Sequence, residues 1–311
     1  MKQPIIVITG PTASGKTACA VALARRLDGE IISADSMQVY KGMDLLSAQP
    51  TLQERGGVPH HLLGVAEPME RFTASAYRTA AKRAVGEIAA RGKLPIVCGG
   101  TGLYIDALTR PMGFSVEADD ALHARLMAAA QEPGGARMLH DRLRSVDPES
   151  AQRLHPNDIR RVVRAIEVYE ISGIPQSEHM RRDALKQGDY AERIFALRWS
   201  REALYACIDA RVDDMVQRGL VDEVRSLHMQ RERFPTAAQA IGYKEIAAAL
   251  EGRCDMPSAI DQVKQATRNY AKRQLSWLRR DARTEWVEAE GRTPEAVAEE
   301  IAERFAKRKE A

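Results

Sequence analysis

The 311-residue chain is 44% hydrophobic and 29% charged, the composition of a soluble globular protein with a sizeable core in one large or two smaller domains. Its formal net charge of +3 is too small to imply a polyanionic partner by itself. No apolar run approaches the roughly 18 residues of a membrane span, the first residues lack the pattern of a secretion signal, and Cys19, Cys98, Cys207 and Cys254 are too dispersed for a zinc or disulfide framework, so reduced thiols in a cytoplasmic protein are expected.

In chain order, Ile5 to Thr9 reads as a strand and Lys16 to Leu27 as a helix. Between them Gly10-Pro11-Thr12-Ala13-Ser14-Gly15-Lys16-Thr17 fits the phosphate-binding pattern G-x-x-x-x-G-K-[ST] in its proper strand-to-helix context. The glycines let backbone N–H groups converge on phosphate oxygens, and the helix N-terminus adds its dipole. Lys16 adds a point charge, and the Thr17 hydroxyl is placed to ligate Mg²⁺. A turn that only joins strand to helix would leave Lys16-Thr17 unexplained. The pattern alone does not distinguish a nucleoside triphosphate from a diphosphate.

Glu30 to Ala34 reads as a second strand, followed by Asp35-Ser36-Met37-Gln38-Val39-Tyr40. An Asp at a strand's C-terminal end sits on the functional edge of an α/β sheet, as a metal partner through water or a general base, although Asp-Ser also begins ordinary turns. Thr51-Leu52-Gln53-Glu54 has the form of a capping box, His60-His61 reads as structural, and Thr73 caps a helix over Ala74 to Ala90. Leu94 to Cys98 is a third strand, ending in Gly99-Gly100-Thr101-Gly102-Leu103-Tyr104. Glycines there permit close backbone approach, and Thr101 could hold an acceptor or a phosphate oxygen; a tight strand-to-helix turn is the plainer alternative.

Beyond about residue 115 helices dominate: Ala118 to Ala130, Arg137 to Ser145 and Asp158 to Ser172. A strand over Arg193 to Trp199 returns the chain to the sheet. Helices follow at Arg201 to Arg218, Val221 to Glu232, Tyr243 to Leu250 and Pro257 to Arg280, with Thr293-Pro294 opening a last one. Arg160, Arg161 and Arg164 suit backbone phosphates, or a salt-bridged face with Glu167 and Glu170. The strongest basic cluster is Lys264, Arg268, Lys272, Arg273, Arg279, Arg280 and Arg283, with Tyr270 and Trp277 interleaved as stacking or core aromatics; it reads as a nucleic-acid footprint, or as a solvated charged face. The terminal Lys307-Arg308-Lys309 reads as a solvated end.

Together these segments resemble the bacterial tRNA dimethylallyltransferases: GPTASGKT at 10–17, DSMQVY at 35–40, GGTGLY at 99–104, DIRRVVRAIEVYEISG at 158–173, QAIGYKE at 239–245 and TRNYAKRQLSWLR at 267–279. The resemblance implies an α/β fold, a P-loop NTPase-like parallel sheet core (1–115 and 191–311) with a helical insertion (116–190) that grips the tRNA anticodon stem-loop. It implies transfer of a dimethylallyl group from dimethylallyl diphosphate to N6 of the adenosine just 3′ of the anticodon, position 37, with Mg²⁺ held in part by Thr17. Family members are often described as ATP-binding, which the loop pattern explains.

On this resemblance Gly10, Pro11, Thr12, Ala13, Ser14, Gly15, Lys16 and Thr17 hold the donor's diphosphate, with Arg211 as a further phosphate contact. Asp35, Thr101 and Lys16 carry the chemistry, Asp35 as general base. The tRNA contacts fall on Asp35, Ser36, Met37, Gln38, Thr101 and His123; on Ile159, Arg160, Arg161, Val162 and Val163; on Ala240, Ile241, Gly242, Tyr243, Lys244 and Glu245; and on Lys272 and Arg273. His123 stands where relatives are expected to carry Arg. A monomer without membrane association is expected. The alternative reading is a P-loop small-molecule kinase, which would not need the basic C-terminal helix.

Overall fold

A computed structural model describes residues 2–112, 116, 119–234 and 237–307. Its elements in order are β1 (Gln3–Thr9), α1 (Lys16–Leu27), β2 (Gly29–Ser33), α2 (Leu52–Arg55), β3 (His60–His61), α3 (Ala74–Ala90), β4 (Leu94–Cys98) and α4 (Gly102–Thr109). Five helices follow: α5 (Asp120–Gln131), α6 (Gly135–Val146), α7 (Pro148–Arg153), α8 (Ile159–Ser172) and α9 (Gln176–Ala184). The chain then forms β5 (Tyr190–Arg198), α10 (Arg201–Gln217), α11 (Leu220–Met229), α12 (Tyr243–Leu250), α13 (Met256–Leu278), β6 (Thr284–Glu288) and α14 (Pro294–Lys307).

The six strands form one parallel sheet in the order β3-β2-β4-β1-β5-β6. Parallel strands buried on both faces need near-continuous apolar runs, which Ile5-Ile6-Val7-Ile8 supplies. Alternate side chains then serve two cores. Ile5, Val7, Ile32, Val97 and Ile194 pack with α3, α4 and the C-terminal helices α11 to α13. Ile6, Ile8, Ile31, Ile96 and Phe195 pack against α1 and α14. The four strands expected from sequence are present; β3 and β6 are additions at the sheet's edges. The β6 sequence Thr-Glu-Trp-Val-Glu buries only Val287, so it has no apolar run to announce it.

Contacts divide the chain into one compact unit of residues 1–109 and 190–311 and a second of residues 110–189. The second unit's core is Leu122, Leu126, Leu139, Leu143, Val162, Val163 and Ile166, from α5, α6 and α8. The short helices α7 and α9 were not anticipated. Buried Asp147 serves both regions, accepting from Ser150 N at 3.0 Å and Ser177 N at 2.9 Å. Of the expected features, Ala118, Arg308 and Lys309 lie outside the described residues.

The strand order sets the site. β1, β4 and β2 are neighbours, and Cys98 is in register with Ile8 on one side and Ser33 on the other. Their carboxyl ends are therefore level, and the loops at Gly10, Gly99 and Asp35 emerge side by side. Backbone bonds continue the ladder past the strands: Gly99 N to Ile8 O at 3.1 Å, Ala34 N to Cys98 O at 2.8 Å and Thr101 N to Ala34 O at 3.1 Å. A Cβ on Gly99 would lie 2.2 Å from Ala34 O, so only glycine fits. Gly99→Ala is therefore expected to cost about 1–3 kcal/mol of stability, seen as a lower thermal midpoint; an unchanged midpoint would mean that the ends of β2 and β4 are not so closely apposed.

Candidate active site

The loop after β1 curls through positive φ at Gly10 (+147°), Ala13 (+63°) and Gly15 (+82°). Gly15 caps α1 without a side chain, so the first-turn N–H groups stay open to a ligand. Trp199 Nε1 donates to Ser14 O at 3.2 Å and steadies the loop. Lys16 Nζ donates to Pro11 O at 2.7 Å. Burial lowers the Lys16 pKa to about 8; Cys98 opposes the shift, and the Arg211 charge adds to it. Arg211 comes in from α10, with Nη1 3.5 Å from Thr12 Oγ1 and Nη2 3.4 Å from Ala48 O. Two half-buried cations thus face one polar cavity of about 350 Å³, lined also by Thr17, Gln38, Tyr270 and the carboxylates of Asp35, Asp44, Glu54 and Asp214. Together with the open N–H groups at the start of α1, these cations suit a phosphorylated ligand.

Asp35 occupies the junction with a second cavity. Its Oδ1 accepts from Met37 N at 2.9 Å and Gln38 N at 3.3 Å, so the loop's own backbone aims the carboxylate. Thr101 Oγ1 accepts from Ser36 N at 3.0 Å, tying the loop after β4 to the loop after β2. The second cavity, about 300 Å³, shares Thr12, Asp35, Ser47, Ala48, Arg211, Met215 and Tyr270 with the first. Its remaining wall is mostly apolar, including Met37, Leu46, Ile208, Val212, Ile241 and Val263. A phosphate-sized polar pocket therefore opens beside an apolar one, with a carboxylate where they meet.

Among the described residues no group of three or more His, Cys, Asp or Glu side chains is arranged to hold a metal. Thr17 and Asp35 line the polar cavity. That sparse donor set fits Mg²⁺, which keeps waters and shares substrate phosphates rather than filling a protein cage.

Tyr270 of α13 was not anticipated as a site residue, yet it lines both cavities. Burial and the Asp35 charge push its phenol up to about 12, so it stays protonated. Arg273 covers its ring at 5.6 Å. The sequence signal was present only as an aromatic among basic residues.

The expected tRNA-facing residues divide. Arg160 and Arg161 are exposed on α8, Arg161 paired with Asp158 at 3.2 Å, and Ile159 is half-buried. Val162 and Val163 are core residues, so their side chains cannot meet a polynucleotide; the helix presents its arginines instead. His123 is half-exposed and paired with buried Glu167, which also engages Arg164 at 3.3 Å. In the segment before and into α12, Ala240 and Tyr243 are buried, Ile241 faces the apolar cavity, Glu245 accepts from Gly242 N at 3.0 Å, and Lys244 is exposed.

Part of the basic cluster on and just after α13 is neutralised within the fold. Lys264 pairs with Asp213 at 2.7 Å and Arg268 with Asp209 at 2.5 Å, both acids from α10. Arg283 is bound by Asp281, Asp106 and Glu192. Trp277 donates to Asp106 at 3.3 Å and is structural. Lys272, Arg273, Arg279 and Arg280 remain exposed. His60 and His61 are structural, bonded to Val58 O at 2.8 Å and to Glu30 at 2.7 Å.

A family model described as IPP transferase matches residues 38–281, and one described as isopentenyl transferase matches residues 3–65. The tRNA dimethylallyltransferase of Geobacillus thermodenitrificans is 46% identical over 98% of this chain and 96% of its own length. That of Bacillus subtilis is 43% identical over 92% of this chain and 91% of its own. Among solved structures, the full-length tRNA isopentenylpyrophosphate transferase of Bacillus halodurans superposes with a TM-score of 0.72 at 37% identity, covering 100% of this chain and 99% of that one. A eukaryotic dimethylallyltransferase acting on tRNA gives a TM-score of 0.83 at 29% identity, covering 98% and 80%.

The lowered Lys16 pKa has a definite sign: the ammonium is present below about pH 8 and lost above it. Binding of inorganic pyrophosphate should therefore weaken as pH rises past 8, by up to about tenfold per unit more than in Lys16→Met. Parallel pH profiles for the two proteins, measured calorimetrically, would remove Lys16 from the anion site.

Proposed function

The chain belongs to the IPP transferase family, and from that premise we propose that it transfers a dimethylallyl group from dimethylallyl diphosphate to N6 of the adenosine 3′-adjacent to the anticodon, position 37, of tRNA. The allylic C–O bond breaks, its electron pair leaves with the diphosphate, and a C–N bond forms to the exocyclic amine. The amine's proton passes to the Asp35 carboxylate. The products are N6-isopentenyladenosine in tRNA and diphosphate.

What carries this reading is the junction at Asp35 between a cationic, phosphate-sized cavity and an apolar one. The loop N–H groups, Lys16 and Arg211 face the leaving group, where negative charge develops as the bond breaks. Because these groups are fixed before reaction, they stabilise that charge without reorganising. Mg²⁺, when bound by Thr17 and the diphosphate, supplies further charge neutralisation. The apolar wall suits a five-carbon allyl group and keeps water from a carbocation-like carbon. Asp35, aimed by Met37 N and Gln38 N, suits the role of base for a weakly nucleophilic amine. Thr101 holds Ser36 and so fixes the loop that bears Asp35.

An adenine stacked in an anticodon loop has to be extruded to reach such a junction. The exposed Arg160, Arg161, Lys244, Lys272 and Arg273 are suited to the tRNA backbone. The likeness to tRNA dimethylallyltransferases over nearly the whole chain favours this reading over a P-loop kinase.

Incubation with labelled dimethylallyl diphosphate, Mg²⁺ and unmodified tRNA should place label in the tRNA. Asp35→Ala should cut kcat by about 10²-fold or more with tRNA affinity retained. Unchanged turnover in that variant would take Asp35 out of the mechanism.

A further inference from the structure

One face of α13 addresses the loop after β4 residue by residue. Tyr270, Gln274 and Trp277 are spaced i, i+4, i+7 and share that face. The Tyr270 phenol stands beside the Thr101 side chain. Gln274 meets Gly100, where an added Cβ would lie 2.1 Å from Gln274 Nε2. Trp277 covers Gly102, where an added Cβ would lie 2.4 Å from the indole.

Gln274 does more than pack. It is 6% exposed, and both arms of its amide are used. Its Oε1 accepts from Thr12 N, in the phosphate-binding loop, at 2.8 Å. Its Nε2 donates to Gly100 O, one residue before Thr101, at 3.0 Å. A single rigid amide therefore spans the loop that faces the donor's diphosphate and the loop that fixes the acceptor side. A primary amide of this length offers an acceptor and a donor at once without carrying charge: ionised glutamate cannot donate, asparagine is too short to reach both loops, and methionine offers neither strong group.

We propose that Gln274 is a positioning residue for group transfer. It holds the diphosphate loop and the Thr101 loop at a set separation, so that the allylic carbon and the attacking amine meet at reacting distance. Gln274 acts through Thr12 and Gly100 rather than on the reacting atoms. The inference rests on the transferase reading above. Misplacement by about 1 Å costs on the order of 10²-fold in rate, while each substrate taken singly still finds its own loop intact. The signature is therefore a fall in kcat that leaves the separate affinities nearly unchanged.

The experiment compares wild type with Gln274→Asn, which keeps an uncharged amide too short to reach both loops, and Gln274→Met. Steady-state kinetics use dimethylallyl diphosphate and tRNA, and direct binding uses inorganic pyrophosphate and tRNA separately. Wild type should transfer the allyl group; its failure to do so would overturn the transferase reading itself. Both variants should lose about 10²-fold in kcat, with pyrophosphate and tRNA affinities within about threefold of wild type. Should Gln274→Met lose its cooperative unfolding transition, Gln274→Asn decides alone, because it adds no charge to the diphosphate cavity that Gln274 lines. Unchanged kcat in an active background, or a loss that tracks pyrophosphate affinity, would overturn the positioning role.

Discussion

The register of β4 between β1 and β2 governs the rest of the site. Cys98 aligned with both Ile8 and Ser33 brings three strand ends to one level. The turns that follow have no freedom to separate, because the Gly99 backbone lies against Ala34 and Thr101 N is bonded to Ala34 O. Apolar burial on both faces of the sheet fixes the strands. The strands in turn fix where a phosphate-binding loop, a carboxylate and a hydroxyl can stand.

Charge is then added against the solvent's preference. Lys16 and Arg211 are held where burial lowers both pKa values, and Asp35 opposes that shift at each. The loop N–H groups and the two cations are held in place, so they need no rearrangement as negative charge grows on a leaving group. The apolar cavity on the other side of Asp35 gives the opposite environment within the same opening. The contrast across one carboxylate matches a donor with an anionic head and a short hydrocarbon tail.

What could be read from the sequence was what is local. The phosphate-binding loop, the capping box at Thr51 and the cap at Thr73 are contiguous patterns whose physics is set by near neighbours. What could not be read depends on partners far along the chain. The basic stripe of α13 looked like a polynucleotide footprint because Asp209 and Asp213, which neutralise Arg268 and Lys264, lie on another helix. Val162 and Val163 sit among exposed arginines in sequence but face a core built from α5 and α6. Gln274 is separated from Thr12 by 262 residues, and no pattern marks a glutamine as a strut between two loops. β6 carries too few apolar residues to signal an edge strand.

The central claim is that the anion held by the loop at Gly10 to Thr17 is a leaving group on carbon rather than a phosphoryl donor. Mass spectrometry of nucleosides from tRNA treated with the protein, dimethylallyl diphosphate and ATP decides it most directly. The account expects one adenosine 3′-adjacent to the anticodon to gain a single C₅H₈ unit, with one diphosphate released per modification and no ATP consumed. Unaltered nucleosides accompanied by phosphoryl transfer from ATP would contradict it.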